Sequence, residues 1–301
     1  MAAEGSVRGR SVTAALGTTR LPLLVFGGPY SNLQATQALM AEADRLGVTP
    51  DRIVCTGDVV AYCGDPEATT AAIAGWGIHV IQGNCEEQLA AGAEDCGCGF
   101  DEGTACDRLS KGWYDFANAR LSPISRQWMA QLPRTLEFDL AGLRVRVVHG
   151  GVAQINRFLF ASDEGALGEE LTNSGADLVI AGHCGIPFVR EIAGRCWFNP
   201  GVIGMPANDG TARVWYGLIE TDREAGTLRL STHVLTYDYR TAAQTMRRAG
   251  HADAYADALA SGRWPSLDVL PAAEQVRSGL AIAPFSHVFE RSATRPGIPA
   301  T

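Results

Sequence analysis

The stretch "LLVFGGPYSNLQATQALMAEADRLG", residues 23–47, contains the unit that decides the fold. Its first four residues form an unbroken apolar run, which predicts a buried strand. Asn32 is a good N-cap, and Gly47 is a good stop for the helix between them. The apolar side of that helix is formed by Leu33, Leu39, Met40, Ala43 and Leu46. A buried strand that leads directly into a helix of this length indicates an α/β protein.

Strand signals recur along the chain as short apolar runs rich in Val and Ile. They are "LPLLVF" (21–26), "RIVCTG" (52–57), "HVIQGN" (79–84), "RVRVVHGG" (144–151), "DLVIAGHC" (177–184), "RCWFNPG" (195–201), "ARVWYGLIE" (212–220) and "TLRLSTHVL" (227–235). Helix patterns lie between several of these runs, and Ser122-Pro123 opens one with a cap followed by proline. Strands and helices alternate early, whereas strands follow one another after residue 195. This order predicts an α/β fold with mixed sheets.

The domain organisation follows from where these patterns begin and end. Residues 1–20 have no regular pattern, and we expect a flexible leader. Residues 21–237 carry the predicted strands, interrupted by a cysteine-rich insertion at 92–110 that predicts an ordered surface loop or a small ligated loop. Residues 238–301 are expected to form a helical C-terminal extension that ends in a frayed tail.

The composition limits the possible partners. The chain has 301 residues, 46% of them hydrophobic, and a formal charge of -8. This acidic balance gives no basic field for a nucleic-acid backbone, so no extended nucleic acid is expected as a partner. No apolar run is long enough to span a bilayer, and residues 1–20 lack the apolar core of a signal peptide, so we predict a cytoplasmic protein without a membrane partner. No oligomeric state is predicted.

Four predicted strands end in a polar residue beside glycine. These residues are Asp58, Asn84, His149 and His183. Strand ends in an α/β sheet converge on one edge, where ligands bind. A carboxylate, an amide oxygen and two imidazoles suit one divalent or ferric transition metal such as Mn, Fe, Ni or Zn. Singly, a Gly-Asp pair is more often a turn and a lone histidine is more often hydrogen-bonded structure.

The order of these motifs resembles the calcineurin-like metallophosphoesterase family, in particular its bacterial phosphodiesterase and phosphatase branch. The matching residues are Gly57-Asp58, Gly83-Asn84-Cys85-Glu86, His149-Gly150 and Gly182-His183, and "NPGVIGMP" (199–206) is similar to the family's closing turn. The resemblance covers roughly residues 21–237. It implies a four-layer α-β-β-α sandwich with two mixed sheets, and a metal-dependent hydrolase that acts on a small phosphorylated substrate.

The sequence departs from this family at three positions. Gly28 and Tyr30 stand where the D-x-H motif has its aspartate and histidine, and Gly185 replaces the last histidine of G-H-x-H. The resemblance assigns these positions to a first metal, so it implies that only the second metal is retained. The Tyr30 phenol could donate to a phosphate oxygen, bind ferric iron as a phenolate, or simply fill the space of the missing metal.

Further roles are expected of residues around the metal. We predict catalytic roles for Tyr30, Asn84 and His149. Tyr30, Arg157 and His149 or His183 would supply part of the charge stabilisation that the missing metal would have given. Arg157 is a candidate phosphate clamp because its guanidinium matches phosphoryl oxygens, although it could also be a surface arginine. Cys85 is predicted to line the substrate pocket.

The insertion contains a second candidate metal site. Cys96, Cys98 and Cys106 could bind a structural zinc ion or an iron–sulfur cluster if a fourth ligand, for instance Cys85 or Cys63, completed the site. The C-x-C spacing is far less specific than paired C-x-x-C motifs.

Three functions are compatible with these patterns. The leading one is hydrolysis of a small phosphodiester or phosphomonoester with the retained metal. The alternative is a catalytically inactive protein that binds a phosphorylated ligand or a partner on a degenerate metallophosphoesterase fold. A third is an enzyme in which iron and thiolates run different chemistry.

Overall fold

The computed structural model describes residues 11–13, 22–222, 224–250 and 253–290. The helices are α1 (Leu33–Leu46), α2 (Pro66–Trp76), α3 (Asn84–Ala91), α4 (Ala105–Asn118), α5 (Pro123–Gln131), α6 (Glu164–Ser174), α7 (Tyr239–Arg248), α8 (Asp253–Ser261) and α9 (Ala272–Gln275), with a 3-10 helix at Pro50–Arg52. The strands are β1 (Ser11–Thr13), β2 (Leu23–Phe26), β3 (Ile53–Cys55), β4 (His79–Val80), β5 (Thr135–Leu140), β6 (Leu143–Val147), β7 (Leu178–Ile180), β8 (Phe188–Ile192), β9 (Arg195–Asn199), β10 (Val214–Asp222), β11 (Thr227–Leu235) and β12 (Ser286–Glu290).

The strands form two mixed sheets, as the sequence predicts. One six-stranded sheet has the order β1-β5-β6-β7-β9-β8, and the other has the order β12-β11-β10-β2-β3-β4. In the first sheet β6, β7 and β9 are parallel, and in the second β2, β3 and β4 are parallel. Antiparallel partners flank both parallel groups. The carboxyl ends of each parallel group therefore lie together at one edge of their sheet.

Three hydrophobic cores fix the order of the layers. The central core joins residues of both sheets, such as Val25 and Val54 of one with Val147 and Ile180 of the other. The opposite face of the second sheet packs against α1 to α5, α7 and α8. The opposite face of the first sheet packs against α6. This arrangement of helices, sheet, sheet and helix agrees with the predicted sandwich.

The predicted helix caps are confirmed. The Asn32 side chain accepts a hydrogen bond from the Ala35 backbone N–H at 3.1 Å. Gly47 ends α1 in a left-handed conformation, with φ 66°. Ser122 caps α5 by accepting from the Ser125 backbone N–H at 3.1 Å. The helix boundaries that position the loop at residues 27–32 are thus encoded locally.

Four strands were not predicted from the sequence. Strands β5 and β8 lack unbroken apolar runs because their burial alternates or falls along the strand. Strand β1 lies within the expected flexible leader, where residues 11–13 pair in parallel with β5. Strand β12 lies within the expected helical extension and pairs with β11. Residues 1–10 and 14–21 of the leader region, and the expected tail at 291–301, lie outside the described residues.

The extension and the insertion both pack on the main domain. Helices α7 and α8 contribute to the core of α1 and the second sheet. Most of the insertion is exposed or half-buried, and Cys96 and Cys98 anchor it in that same core. Among the described helices, none has the length and apolar character needed to cross a bilayer.

Candidate metal centre

The four predicted ligands lie where the ends of the two sheets meet. Asp58 and Asn84 follow β3 and β4 of one sheet, whereas His149 and His183 follow β6 and β7 of the other. The two edges are joined by a bridge between Gly27 and Val202. The sequence therefore predicted the convergence of these residues, but the site spans two sheets rather than a single edge.

The ligand atoms form a compact cluster around one histidine nitrogen. The Nε2 atom of His149 lies 3.1 Å from Asp58 Oδ2, 3.1 Å from Asn84 Oδ1 and 3.0 Å from His183 Nδ1. His183 Nδ1 is 3.9 Å from Asp58 Oδ2. All four residues are buried. In the described part of the chain, Asp58, His149 and His183 are the group of acidic, histidine or cysteine residues that could hold a metal ion.

The surroundings turn acceptor atoms toward the centre of this cluster. His149 Nδ1 lies 2.6 Å from the Thr56 carbonyl oxygen, which can only accept, so Nδ1–H donates and Nε2 faces the cluster, where the neutral ring presents its lone pair. Asn84 Nδ2 donates to the Cys96 carbonyl oxygen at 2.9 Å, which leaves Oδ1 facing His149. A carboxylate oxygen, an amide oxygen and an imidazole lone pair cannot bond to one another. The donor set therefore fits a cation, and its nitrogen and oxygen atoms suit a transition metal.

The charges of the cluster are strongly coupled. Burial opposes ionisation of Asp58, but the charge and hydrogen bonds of His149 and His183 outweigh it and hold the pKa of Asp58 well below its usual range. Burial also opposes the charge of His149, yet Asp58 raises the pKa of His149. Burial lowers the pKa of His183, and the positive charge of His149 adds to this. Asp58 is thus a carboxylate and His183 a neutral imidazole, the forms that bind metals, whereas a metal that binds at His149 Nε2 would displace the proton that Asp58 favours there.

The backbone is strained at two of the ligands. Asp58 has φ 55° and His183 has φ 63°, a left-handed conformation that non-glycine residues rarely adopt. Such conformations cost on the order of 1–3 kcal/mol and persist mainly where function requires them. The loops also approach each other closely, since a Cβ atom on Gly83 would lie 2.3 Å from Asp58 Oδ1. Glycine before Asn84 is therefore a steric requirement of the site.

Glu86 is a positioning residue that sequence reasoning missed. Its buried carboxylate accepts backbone N–H groups of Asp58 at 2.8 Å, Gly83 at 3.0 Å and Val60 at 3.2 Å. Burial, together with the charge of Asp58, raises the pKa of Glu86 to about 7. The carboxylate ties the Asp58 loop to the start of α3. Its position in the sequence, three residues after Gly83, could have indicated this role. A glutamate at that position often accepts the backbone N–H of the residue that caps the helix.

The positions that depart from the family pattern are filled by aromatic rings. A Cβ atom on Gly28 would lie 2.4 Å from Tyr30 Cζ, so the Tyr30 ring occupies the space next to Gly28. A Cβ atom on Gly185 would lie 3.3 Å from Cζ2 of Trp264, which belongs to the C-terminal extension. Burial and the nearby Asp58 raise the pKa of Tyr30 well above its ordinary value, which favours a phenol over a metal-binding phenolate.

The two predicted substrate-binding residues have partners within the protein. Arg157 donates to the buried carboxylate of Glu170 in α6 at 2.6 Å. Cys85 packs in the core with its sulfur 3.6 Å from Asn84 Nδ2. Its backbone N–H donates to Asp58 Oδ1 at 3.3 Å. Cys85 thus supports the ligands instead of lining a pocket.

The predicted three-thiol site of the insertion is not assembled. Cys96 and Cys98 form a disulfide with each other, so neither is a thiolate. Cys106 is the second residue of α4, and its thiol is engaged with Ser266. The pair nevertheless lies at the cluster, with Cys98 Sγ 3.4 Å from Asn84 Nδ2. The insertion therefore buttresses Asn84 and does not form a separate metal site.

A cavity of about 70 Å³ lies directly beside the cluster. His183 and Tyr30 contribute to its wall, as do the neighbouring Cys184 and Gly185. The Phe158 ring packs against the His183 ring with a centroid separation of 4.1 Å. A small molecule bound in this cavity would lie next to the cluster of candidate metal ligands.

By fold and site this is an α/β protein that presents a metal-ligand cluster where two sheets meet. Residues 30–224 match the family model of the calcineurin-like phosphoesterase superfamily domain, and the chain belongs to that family. A probable metallophosphoesterase from Methanothermobacter thermautotrophicus is 33% identical over 88 residues, which are 28% of this chain and 45% of that relative. The chain thus matches less than half the length of this curated relative.

Two solved structures share the fold. A metallophosphoesterase from Sphaerobacter thermophilus has 21% sequence identity and a TM-score of 0.64, covering 81% of this chain and 100% of that one. A hypothetical protein from Pyrococcus horikoshii has 15% identity and a TM-score of 0.66, covering 81% of this chain and 99% of that one.

Proposed function

We propose that the protein hydrolyses phosphoric esters, either small phosphodiesters or phosphomonoesters, with one transition metal held by Asp58, Asn84, His149 and His183. The observation that carries the proposal is the convergence of acceptor atoms around His149 Nε2, which has Asp58 Oδ2 and Asn84 Oδ1 within 3.1 Å. A proton on His149 Nε2 would form one hydrogen bond to one of these oxygen atoms, whereas a metal would be bound by all of these atoms. A cytoplasmic setting is part of the proposal.

Each residue has a defined task in this mechanism. A metal bound at the cluster supplies a Lewis acid for the phosphoryl group and a lowered pKa for a bound water. Asp58 provides the negative charge of the site, and Thr56 and Cys96 fix the orientation of His149 and Asn84. Tyr30 lines the adjacent cavity and stays protonated, so its phenol can donate to a phosphoryl oxygen.

The binding-protein alternative has one observation in its favour. The Tyr30 ring fills the space beside Gly28, and Trp264 covers Gly185, so the two-metal clamp on attacking and leaving oxygens has no room at these positions. A protein without turnover that still binds metal and phosphate would fit this arrangement. Measurements of metal content and of turnover separate the two functions.

The experiment compares metal content and turnover in the wild type and in Asp58→Asn. We expect about one tightly held transition metal per chain, and slow hydrolysis of bis(p-nitrophenyl) phosphate that chelators abolish and added metal restores. Asp58→Asn removes the carboxylate and should lose both the metal and the activity. Asp139→Asn, which changes an exposed aspartate of β5, is the matched control and should keep both.

Two outcomes would count against hydrolysis. Metal binding without turnover of any phosphodiester or phosphomonoester would leave the binding-protein function. Two metals per chain that both disappear in Asp58→Asn would contradict the one-metal site.

A further inference from the structure

The cavity beside His183 is built from three separate parts of the chain. Tyr30 comes from the loop after β2, Phe100 from the insertion, and Trp264 from the C-terminal extension. Six aromatic side chains contribute to its wall, namely Tyr30, Tyr62, Phe100, Phe158, Tyr255 and Trp264. The remaining wall includes aliphatic residues such as Leu109, Met205 and Val269. The insertion and the extension thus both help to shape the space next to the candidate metal centre.

The chemistry of this wall disfavours a charged occupant. None of the described residues that line the cavity is a lysine, arginine, aspartate or glutamate. Of the polar groups on the wall, the Cys184 sulfur accepts from Asn199 at 3.1 Å and the Cys106 thiol is engaged with Ser266, whereas His183 Nε2 has no hydrogen-bond partner among the described residues. A charge moved into such surroundings loses its hydration without compensation. An apolar group gains from the same transfer.

We propose that this cavity receives the uncharged, apolar group of the ester whose phosphoryl group lies at the metal centre, and that Trp264 sets the size of that group. The inference rests on the proposed function and adds the class of substrate. The contact of His183 with both the ligand cluster and the cavity places the two parts of such an ester next to each other.

The dimensions favour a short group. The cavity of about 70 Å³ is less than half the size of a cavity of roughly 150 Å³ that binds benzene in another protein. Trp264 limits it on the side of Gly185, where a Cβ atom would meet the indole at 3.3 Å. The indole N–H donates to the Pro206 carbonyl oxygen at 2.7 Å, which fixes the ring. An alkyl chain of a few carbons fits this space.

Calorimetric binding to the zinc-loaded protein tests the proposal without depending on turnover. The probes are dimethyl phosphate, methyl propyl phosphate and methyl 2-aminoethyl phosphate, of which the last two have the same shape but differ in charge. Two additional buried methylene groups should make methyl propyl phosphate bind about tenfold more tightly than dimethyl phosphate. Methyl 2-aminoethyl phosphate should gain nothing over dimethyl phosphate.

Trp264→Ala tests the size limit, with Trp128→Ala as a matched control. Trp128 is a half-buried tryptophan of α5 that does not line this cavity. Trp264→Ala should bind methyl benzyl phosphate at least tenfold more tightly than the wild type does, and Trp128→Ala should not. If Trp264→Ala does not fold, Trp264→Phe should shift the preference in the same direction by a smaller factor.

The outcomes separate this inference from the proposed function. If dimethyl phosphate binds and is hydrolysed but the propyl ester gains less than twofold, the inference is wrong and the hydrolase function stands. Tighter binding of the aminoethyl ester would also overturn it and would indicate a cation held by aromatic faces. If neither orthophosphate nor any ester binds to the zinc-loaded protein, the proposed function falls together with the inference.

Discussion

The two halves of the cleft differ in what occupies them. One half brings Asp58, Asn84 and the two histidines together, with acceptor atoms about as close as hydrogen bonds allow. The other half, where the family pattern has further ligands, contains the rings of Tyr30 and Trp264. The first half keeps converging acceptors, which destabilise a chain that binds no cation. The second half is packed like a hydrophobic core.

The two halves also differ in where their side chains come from. Tyr30 is supplied locally, two residues after Gly28, whereas Trp264 comes from an extension beyond the sheets. Both rings fill space that a side chain at the neighbouring glycine would otherwise need. The cleft therefore combines half of a metal site with half of an apolar cavity.

The largest expected effect concerns the ligand half. His183→Ala removes an imidazole whose neutral form is favoured by burial, so metal affinity should fall by more than the 10–100-fold typical of residues that only support a ligand. His79→Ala changes a histidine of β4 outside the cluster and should leave affinity unchanged. Competition with a chromogenic chelator measures the metal affinity of both variants. Equal affinities in the two variants would show that His183 is not a ligand.

Tyr30→Phe tests whether the aromatic half contributes to catalysis. The buried phenol remains protonated and faces the cavity, so its hydrogen bond should strengthen as charge develops on the phosphoryl group. We expect kcat to fall about a hundredfold with a smaller change in KM. Tyr255→Phe, in the wall of the same cavity, is the control and should retain kcat. If the two variants behave alike, Tyr30 only fills space.

Gly28→Ala measures how tightly the Tyr30 ring packs. Gly28 has φ 39° and a ring 2.4 Å from where a Cβ atom would lie, whereas Gly47 has φ 66° and nothing within 4 Å of the same point. Both changes incur left-handed strain, so the excess loss in the free energy of unfolding for Gly28→Ala, about 1–3 kcal/mol, reports the collision. Chemical denaturation measures it. In a Tyr30→Ala background the excess should disappear, and its persistence would contradict this packing.

The smallest expected effect concerns the insertion. Cys98→Ser breaks the disulfide with Cys96, but Asn84 Nδ2 is held mainly by the Cys96 backbone carbonyl at 2.9 Å. Metal affinity should therefore fall by less than about tenfold. Cys106→Ser, which alters a cysteine away from Asn84, should leave it unchanged. A complete loss of metal in Cys98→Ser would mean that the insertion, and not the strand ends, organises the ligand half.

The sequence predicted those features that depend on local pattern. The strand before Asp58 is an unbroken apolar run, the strand before His149 alternates valine with arginine, and Asn32 and Gly47 are strong local signals for helix ends. Strand β5 was missed because its sequence, TLEFDL, contains no valine or isoleucine, whereas the alternating strand β6 contains two valines. The ligand half could therefore be predicted, since each of its members lies beside a glycine at the end of a predicted strand.

The features of the site that the sequence did not predict depend on contacts between distant parts of the chain. Arg157 carries no sign in its neighbourhood that Glu170 will take its guanidinium. Trp264 lies far from Gly185 along the chain, and only the folded extension brings the indole over that glycine. Such contacts have no periodicity to read, because they follow from how the layers and the extension pack.

The C-terminal extension is fastened to the main domain on both sides of Trp264. Before it, α7 and α8 share the core of α1, and after it β12 pairs with β11. Trp264 itself donates its backbone N–H to Asn208 at 2.9 Å. These contacts already order the part of the cavity wall that Trp264 forms. Binding of a small molecule should therefore cost little conformational entropy. Association rates should then rise linearly with ligand concentration, without the plateau that closure of a lid would impose.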